Sequence, residues 1–251
     1  MKIVILYGSP RKGDTYEIVD KIKSQLNVLS TDNLEFDEVF LADLDYGFCK
    51  GCYNCFEFGE DKCPHYKQIN PIVDKIKACD GLIVTSPVYV LHVTALLKNF
   101  FDHMAYFYHR PYFFTKKALA VSSTGGVGVK DVLSYIEEDL ENMGFNKVYK
   151  IGLTMARRDD EKLEKEIKKV SKTFYDDIAS GKTHSPSFKR LIMFNVWRAM
   201  NSQSTALKAD YEYWESTGLK YCDFSPDVKL PLIKKAFAKL LHLILSRVFK
   251  K

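Results

Sequence analysis

No window of 18 residues in this 251-residue chain is free of charge, so nothing in it reads as a membrane-spanning helix. A secretory leader is also missing. Met1-Lys2 runs straight into a short apolar stretch, Ile3 to Tyr7, which is too short for a leader core and ends in the turn Gly8-Ser9-Pro10. Internal repeats and low-complexity tracts are absent. Hydrophobic residues make up 46% and charged residues 27%, which excludes disorder and collagen-like repetition. The chain is long enough to bury a core without covalent staples. Acidic residues are missing altogether from Pro231 to Lys251, which holds Lys234, Lys235, Lys239, Arg247, Lys250 and Lys251. The overall +5 therefore belongs to that tail, because residues 1–230 carry 31 basic and 32 acidic side chains. A near-neutral body argues against a nucleic-acid partner bound by a broad basic face. A cytoplasmic protein is expected.

What is present is an alternation of strand and helix patterns over the first 150 residues. Apolar strand-like runs fall at Ile3–Tyr7, Leu34–Leu41, Gly81–Thr85, Ala118–Ser122 and Lys147–Leu153. Helical spacing fills the gaps at Tyr16–Leu29, Gln68–Cys79, Thr94–Phe107 and Val129–Met143. Strands that are apolar without alternation are buried on both faces. Five of them predict an α/β fold with a doubly wound five-stranded parallel sheet of flavodoxin-like type. Ligands in such sheets sit beyond the carboxyl ends of the strands, which singles out the loops after Tyr7, Leu41, Thr85 and Ser122. After Leu153 the pattern changes. Asp159–Ile178 reads as a charged helix and Gly181–Ser187 as a linker. Ser187–Met200 and Leu230–Phe249 read as helices around an aromatic stretch, Tyr211–Tyr221. The expected division is a body, 1–180, and a C-terminal helical extension, 181–251.

The loop Gly8-Ser9-Pro10-Arg11-Lys12-Gly13-Asp14-Thr15 joins the first strand to the first helix. Its glycine spacing is that of a nucleotide P-loop, but the phosphate-pairing lysine is missing and Asp14 stands there. A carboxylate at that point repels a triphosphate, so ATPase and GTPase readings drop out. Backbone N–H groups at a helix start, with the Ser9 and Thr15 hydroxyls and the Arg11 and Lys12 charges, suit one phosphate group. A plain capping turn on Asp14 or Thr15 is the competing reading. Thr124-Gly125-Gly126-Val127-Gly128 follows the fourth strand. The third glycine of a dinucleotide fingerprint is absent there, since Asp131 occupies its place. Clustered glycines at a strand end still suggest backbone approaching a flat ligand. Ser86-Pro87-Val88-Tyr89 places an aromatic ring at the tip of the third strand.

Four of the six cysteines lie within fifteen residues, as Cys49-x2-Cys52-x2-Cys55-x7-Cys63-Pro64 in the loop after the second strand. Three thiols at every third residue plus one from a short loop suit all-thiolate ligation of a 4Fe–4S cluster. Zinc usually takes two separated Cys-x2-Cys knuckles and fits less well. A thiol–disulfide motif and ordinary free thiols stay open as alternatives. Cys79 and Cys222 stand alone.

These motifs, together with Leu96-Leu97-Lys98-Asn99-Phe100-Phe101-Asp102, resemble the NADPH-dependent FMN reductase family, and within it the iron–sulfur flavoproteins. The resemblance covers about residues 1–150. It implies a flavodoxin-like fold, bound FMN, NAD(P)H as co-substrate and a homodimer or homotetramer. It implies that Ser9, Arg11 and Thr15, in the loop that also holds Lys12 and Asp14, grip the FMN phosphate. It puts Pro87, Val88 and Tyr89 beside the isoalloxazine ring and Thr124, Gly125 and Gly126 at a third wall. It assigns Cys49, Cys52, Cys55 and Cys63 to a 4Fe–4S cluster. One departure is His92, where relatives usually carry a small polar residue; it reads as a solvated loop histidine ahead of a flavin contact.

The expected activity is electron transfer from NAD(P)H through flavin, directly or by way of the cluster, to a small-molecule or protein acceptor. No acid–base residue is assigned. The alternatives are a flavin/iron–sulfur electron carrier without a nicotinamide site and a zinc-bearing non-catalytic module. The helix Leu232–Phe249 has a polar stripe of Lys235, Lys239, His242 and Ser246. Its apolar stripe is Ile233, Phe237, Leu240, Ile244 and Val248. Packing on the chain's own body or a sister subunit is the expected use of that stripe, with an anionic membrane surface as the rival.

Overall fold

The computed structural model describes residues 1–31, 33–203 and 206–249; Lys250 and Lys251 of the basic tail lie outside them. The body runs β1 (Lys2–Tyr7), α1 (Asp14–Leu29), β2 (Glu35–Phe40), a single turn α2 (Asn54–Glu57), α3 (Tyr66–Ala78), β3 (Gly81–Pro87), α4 (Ala95–His103), a single turn α5 (Tyr106–His109), β4 (Lys117–Thr124), α6 (Val129–Asn142), β5 (Lys147–Thr154) and α7 (Asp160–Ser180). The extension adds α8 (Phe188–Met200), α9 (Lys208–Ser216) and α10 (Leu232–Val248).

The five strands form one parallel sheet in the order β2-β1-β3-β4-β5, the flavodoxin-like arrangement. Successive side chains alternate between its faces. Val4, Leu6, Leu82, Val84, Ala118 and Ala120 meet α3, α4 and α6. Ile3, Ile5, Tyr7, Ile83, Leu119 and Val121 meet α1 and α7. Both faces being covered explains why β1, β3 and β4 read as unbroken apolar runs. β2 lies at the sheet edge and is correspondingly mixed, with Asp37 bound to Lys75 and Glu38 to Lys23.

The single helix expected over Thr94–Phe107 is broken. Met104 N–H turns back to Phe101 O and Ala105 N–H to Asp102 O, tightening the last turn before α5 begins. The break swings His103 inward, where its Nε2 lies 2.9 Å from Gly47 O. The aromatic stretch after Leu207, left unassigned by its pattern, forms α9 and a short 3₁₀ turn, with Trp214 fully buried.

The extension packs a third core of Leu191, Phe194, Trp214, Leu219, Phe224, Val228 and Leu230 around Phe114 of the body. Arg190 ties it down by donating to Asn146 O at 3.0 Å and Gly144 O at 3.1 Å. The apolar stripe of α10 is largely not packed on the chain's own body. Only Phe237 of its apolar stripe turns toward the body, joining Ala238 against α8, while Ile233, Leu240, Ile244 and Val248 remain more than half exposed. The apolar stripe and the packed face of this helix overlap only at Phe237.

Candidate functional site

Parallel strands carry the loops after β1, β3 and β4 to one end of the sheet, so the sequence motifs there share a rim. The rim is stitched by named bonds. Gly8 N–H donates to Thr85 O at 3.0 Å, Val88 N–H to Ser123 O at 2.9 Å, and Thr15 Oγ1 meets Ser123 Oγ at 2.6 Å. The Thr94 hydroxyl donates to Gly8 O while accepting from Leu97 N–H, so it caps α4 and pins the β1 loop together. Gly8 is needed there because a Cβ would stand 2.6 Å from Thr85 O.

The start of α1 is open. Its N-cap is Gly13, and no side chain caps it. The capping-turn reading on Asp14 or Thr15 therefore does not hold: Asp14 is exposed, and Thr15 turns inward to Ser123. Free N–H groups at a helix start form an anion-binding cradle. Ser9 Oγ donates to Arg11 O at 2.6 Å and takes Arg11 N–H at 3.2 Å, which folds the loop over that cradle. Arg11 is exposed with no ion pair among the described residues. Lys12 instead lies over the rings of Tyr16 and Phe40, 5.2 and 5.0 Å from their centroids. Glu17 would repel an anion here, but Arg158 Nη2 neutralises it at 2.9 Å.

The walls are set by β3 and β4. Tyr89 and His92 bond to each other's backbone across a two-residue turn, and Tyr89 is 41% exposed, so it is no core tyrosine. The turn residues Val90 and Leu91 have φ of +48° and +63°. Such turns favour Asn-Gly, and bulky residues there carry strain. His92 is exposed, its ring edge against Tyr135. On the β4 side, Thr124 Oγ1 donates to Val127 O at 2.8 Å and accepts from Gly126 N–H at 3.3 Å. Gly125 and Gly126 have no positive φ, and a Cβ on either would meet nothing within 4 Å. Neither folding nor packing of the chain requires glycine at these two positions. The bare backbone there leaves room for a flat group, so the residues fit FMN.

The four clustered cysteines line one pocket of about 340 Å³ with Tyr53, Phe56, His65 and His103. Cys49 and Cys52 are exposed, while Cys55 and Cys63 are half-buried. Burial and the neighbouring thiols push Cys55 up to about 11, against the pull of Arg110. Cys63 Sγ lies 3.9 Å from His103 Nδ1. Among the described residues no three Cys, His, Asp or Glu side chains are gathered closely enough to hold a single metal ion. The donor set is that of an iron–sulfur centre, but the thiols stand around a wide pocket and not at one point. Cys79 is a core residue bonded to Ile76 O, and Cys222 bonds Gly218 O; neither reaches the pocket.

Three side chains that the motifs did not flag hold this pocket. Asn99 Oδ1 accepts from Cys49 N–H at 3.0 Å. Arg110 donates to Cys55 O at 2.6 Å and to Glu60 at 3.0 Å. Asp210 of α9, fully buried, pairs with Arg110 Nε at 3.2 Å and His109 Nδ1 at 2.6 Å. Asn99 lies in the quoted Leu96–Asp102 run; nothing in the sequence pairs Arg110 with a residue a hundred positions away. α4 links the two sites, its first residues at the β1 loop and its last at the cysteines, about 14 Å apart for nine residues.

Comparison with known proteins agrees with this layout. The family described as NADPH-dependent FMN reductase matches residues 1–155. An iron–sulfur flavoprotein of Archaeoglobus fulgidus is 30% identical over 224 residues, 87% of this chain and 99% of that protein. One from Methanosarcina thermophila is 34% identical over 126 residues, 50% of this chain and 64% of that protein. Among solved structures, an NADH:FMN oxidoreductase superposes with a TM-score of 0.53 at 22% identity, covering 75% of this chain and 93% of that one. An FMN-dependent NADH-azoreductase from Bacillus anthracis gives 0.54 at 12% identity, covering 72% and 99%. These structural likenesses speak for the fold. With the open α1 start, the unfilled glycine wall and the family match over residues 1–155, the chain belongs to the NADPH-dependent FMN reductase family and is an FMN-dependent oxidoreductase.

Proposed function

We propose that the protein takes electrons from NAD(P)H at the rim and passes them to an acceptor, with a 4Fe–4S cluster in the cysteine pocket as the onward station. Bound FMN supplies hydride acceptance and one-electron release. The chain's part is binding and orientation. The N–H groups opening α1, with Ser9 and Arg11, hold the phosphate, and the Thr15 hydroxyl fixes the α1 start against β4. Pro87, Val88 and Tyr89 flank the ring on one side, and Thr124, Gly125 and Gly126 receive it on the other. The pair of side-chain-free positions at Gly125 and Gly126, with space above them, is the observation that carries this reading.

Cys49, Cys52, Cys55 and Cys63 are the proposed cluster ligands. A tetrahedral zinc holds its sulfurs at about 2.3 Å from one point. Three thiols at every third residue with a fourth from a short loop is the spacing that supports a cluster over zinc. The exposed apolar rim of Tyr89, Val90, Leu91 and Val127 supports a homo-oligomer in which a sister subunit covers the flavin edge.

Anaerobic mixing with NADH or NADPH tests the reading. Loss of the flavin band near roughly 450 nm on a catalytic timescale is expected. A flavin that stays oxidised with both would make the protein an electron carrier without a nicotinamide site. Iron and sulfide assays on anaerobically purified protein are expected to give four of each per chain; zinc in their place would remove the cluster.

A further inference from the structure

The face of α10 that the fold leaves open has a composition of its own. Leu232, Ile233, Leu240, Leu243, Ile244 and Val248 are each more than half exposed, from 52% to 83%. At 100° per residue they occupy an arc of about 160°. Lys235 and Lys239 border one edge of the arc, and Arg247 stands within it in the last turn. None of these three cations forms an ion pair among the described residues. Phe237, near one edge of the arc, packs on the body with Ala238 and Lys234 beyond that edge, and Lys234 Nζ donates to Pro186 O at 2.6 Å and Ser185 Oγ at 3.0 Å. The helix is therefore anchored and cannot roll its apolar side inward.

A second copy of the chain is a poor occupant. The face is apolar enough to be covered by either a second copy or a lipid surface, so charge decides between them. Two such segments would bring cations together, since Pro231–Lys251 contains no acid to answer them. An anionic lipid surface meets both demands. Its acyl boundary takes the leucine and isoleucine side chains, and its headgroups take the bordering lysines. Arg247 lies near the middle of the arc, so its long side chain must bend sideways to bring the guanidinium to the headgroups. No helix among the described residues is long and apolar enough to cross a membrane, so the contact lies in the interface plane.

We propose that α10 is an interfacial anchor that lays its open apolar face on an anionic phospholipid surface and so holds the redox body against a membrane. This does not depend on the assignment of the cysteine pocket or of the nicotinamide donor.

Sedimentation of the full-length flavin-loaded protein with vesicles tests it. Phosphatidylcholine vesicles containing about 30% phosphatidylglycerol should carry the protein down, and pure phosphatidylcholine should not. About 0.5 M salt should weaken the binding by screening. Lys235→Gln with Lys239→Gln should lower the partition coefficient roughly fivefold per charge removed. Leu240→Glu with Ile244→Glu should abolish binding. All four positions are exposed, so flavin absorbance and circular dichroism should match the parent. The proposal fails if anionic vesicles leave the protein in solution or if neutral vesicles bind it equally. It also fails if the Leu240→Glu/Ile244→Glu variant keeps its vesicle binding and instead drops to a smaller assembly by light scattering, because the face would then be a subunit contact.

Discussion

The flavin cradle is made of backbone, and the cysteine pocket is made of side chains on a loop. At the cradle, strand ends and the start of α1 fix every N–H group, and the hydroxyls of Thr15, Thr94 and Ser123 lock the loops together. At the pocket, the donors sit on a segment with one helical turn, held from outside by Asn99, Arg110 and, behind Arg110, Asp210. A backbone cradle is finished when the sheet is finished. A loop of thiols depends on its struts and on what it binds. Damage to the struts should therefore empty the pocket and spare the cradle, and damage to the glycine wall should do the reverse.

The largest effect expected is from Asp210→Ala. It leaves His109 without its carboxylate and Arg110 with Glu60 alone, and losing one member of a buried charged cluster costs up to about 3–5 kcal/mol. Urea unfolding should register that loss, and anaerobic iron content should fall while FMN stays bound. Equal loss of FMN would break the distinction between the two sites. Next is Gly126→Val. Nothing lies within 4 Å of the added Cβ, so the apoprotein should melt within about 1 °C of the parent. FMN affinity should drop about a hundredfold, close to 2.7 kcal/mol, by titration of flavin fluorescence. A variant that binds FMN normally would remove the wall assignment.

Smaller effects come from the edges. Replacing Val90-Leu91 with Asn-Gly relieves two left-handed residues and should stabilise the chain by about 1 kcal/mol in thermal melts. It also strips the exposed apolar tip beside the flavin, so the native mass by light scattering should fall if a sister subunit rests there. The smallest effect is a pH slope at β2. Burial works to raise Asp37 and Glu38, but Lys75 and Lys2 outweigh it at Asp37, and Lys23 with the Tyr7 hydroxyl does so at Glu38. Both carboxyls lie below their ordinary values, so their contribution is complete above the ordinary carboxylate range and is lost as pH falls through the depressed values. Melting temperature should decline on acidification, and less so in Asp37→Asn/Glu38→Gln. Because β2 leads into the cysteine loop, acid should loosen that side first.

The sheet was readable because burial on both faces writes strands as plain apolar runs, as in Ile3–Tyr7 and Gly81–Thr85. The loop before α1 stood out because glycine and hydroxyl residues gather at a strand–helix turn, and that gathering is a local mark. What could not be read is non-local. Thr94 looks like an ordinary first residue of a helix until Gly8 O is found beside it. The pairing of Arg110 with Asp210 depends on where the extension lands. The break at Met104 goes with His103 facing Gly47, a contact that no periodicity encodes. In α10 the apolar spacing was visible, but spacing gives a stripe and not the side on which α8 sits.

The central claim is that electrons enter at a backbone-built flavin site whose chemistry is independent of the cysteine loop. Anaerobic stopped-flow with NAD(P)H on the parent and on Cys49→Ser/Cys52→Ser tests it most directly. Flavin should bleach at the same rate in both, with iron present only in the parent. A variant that keeps its FMN but no longer bleaches, or a parent that never does, would contradict it.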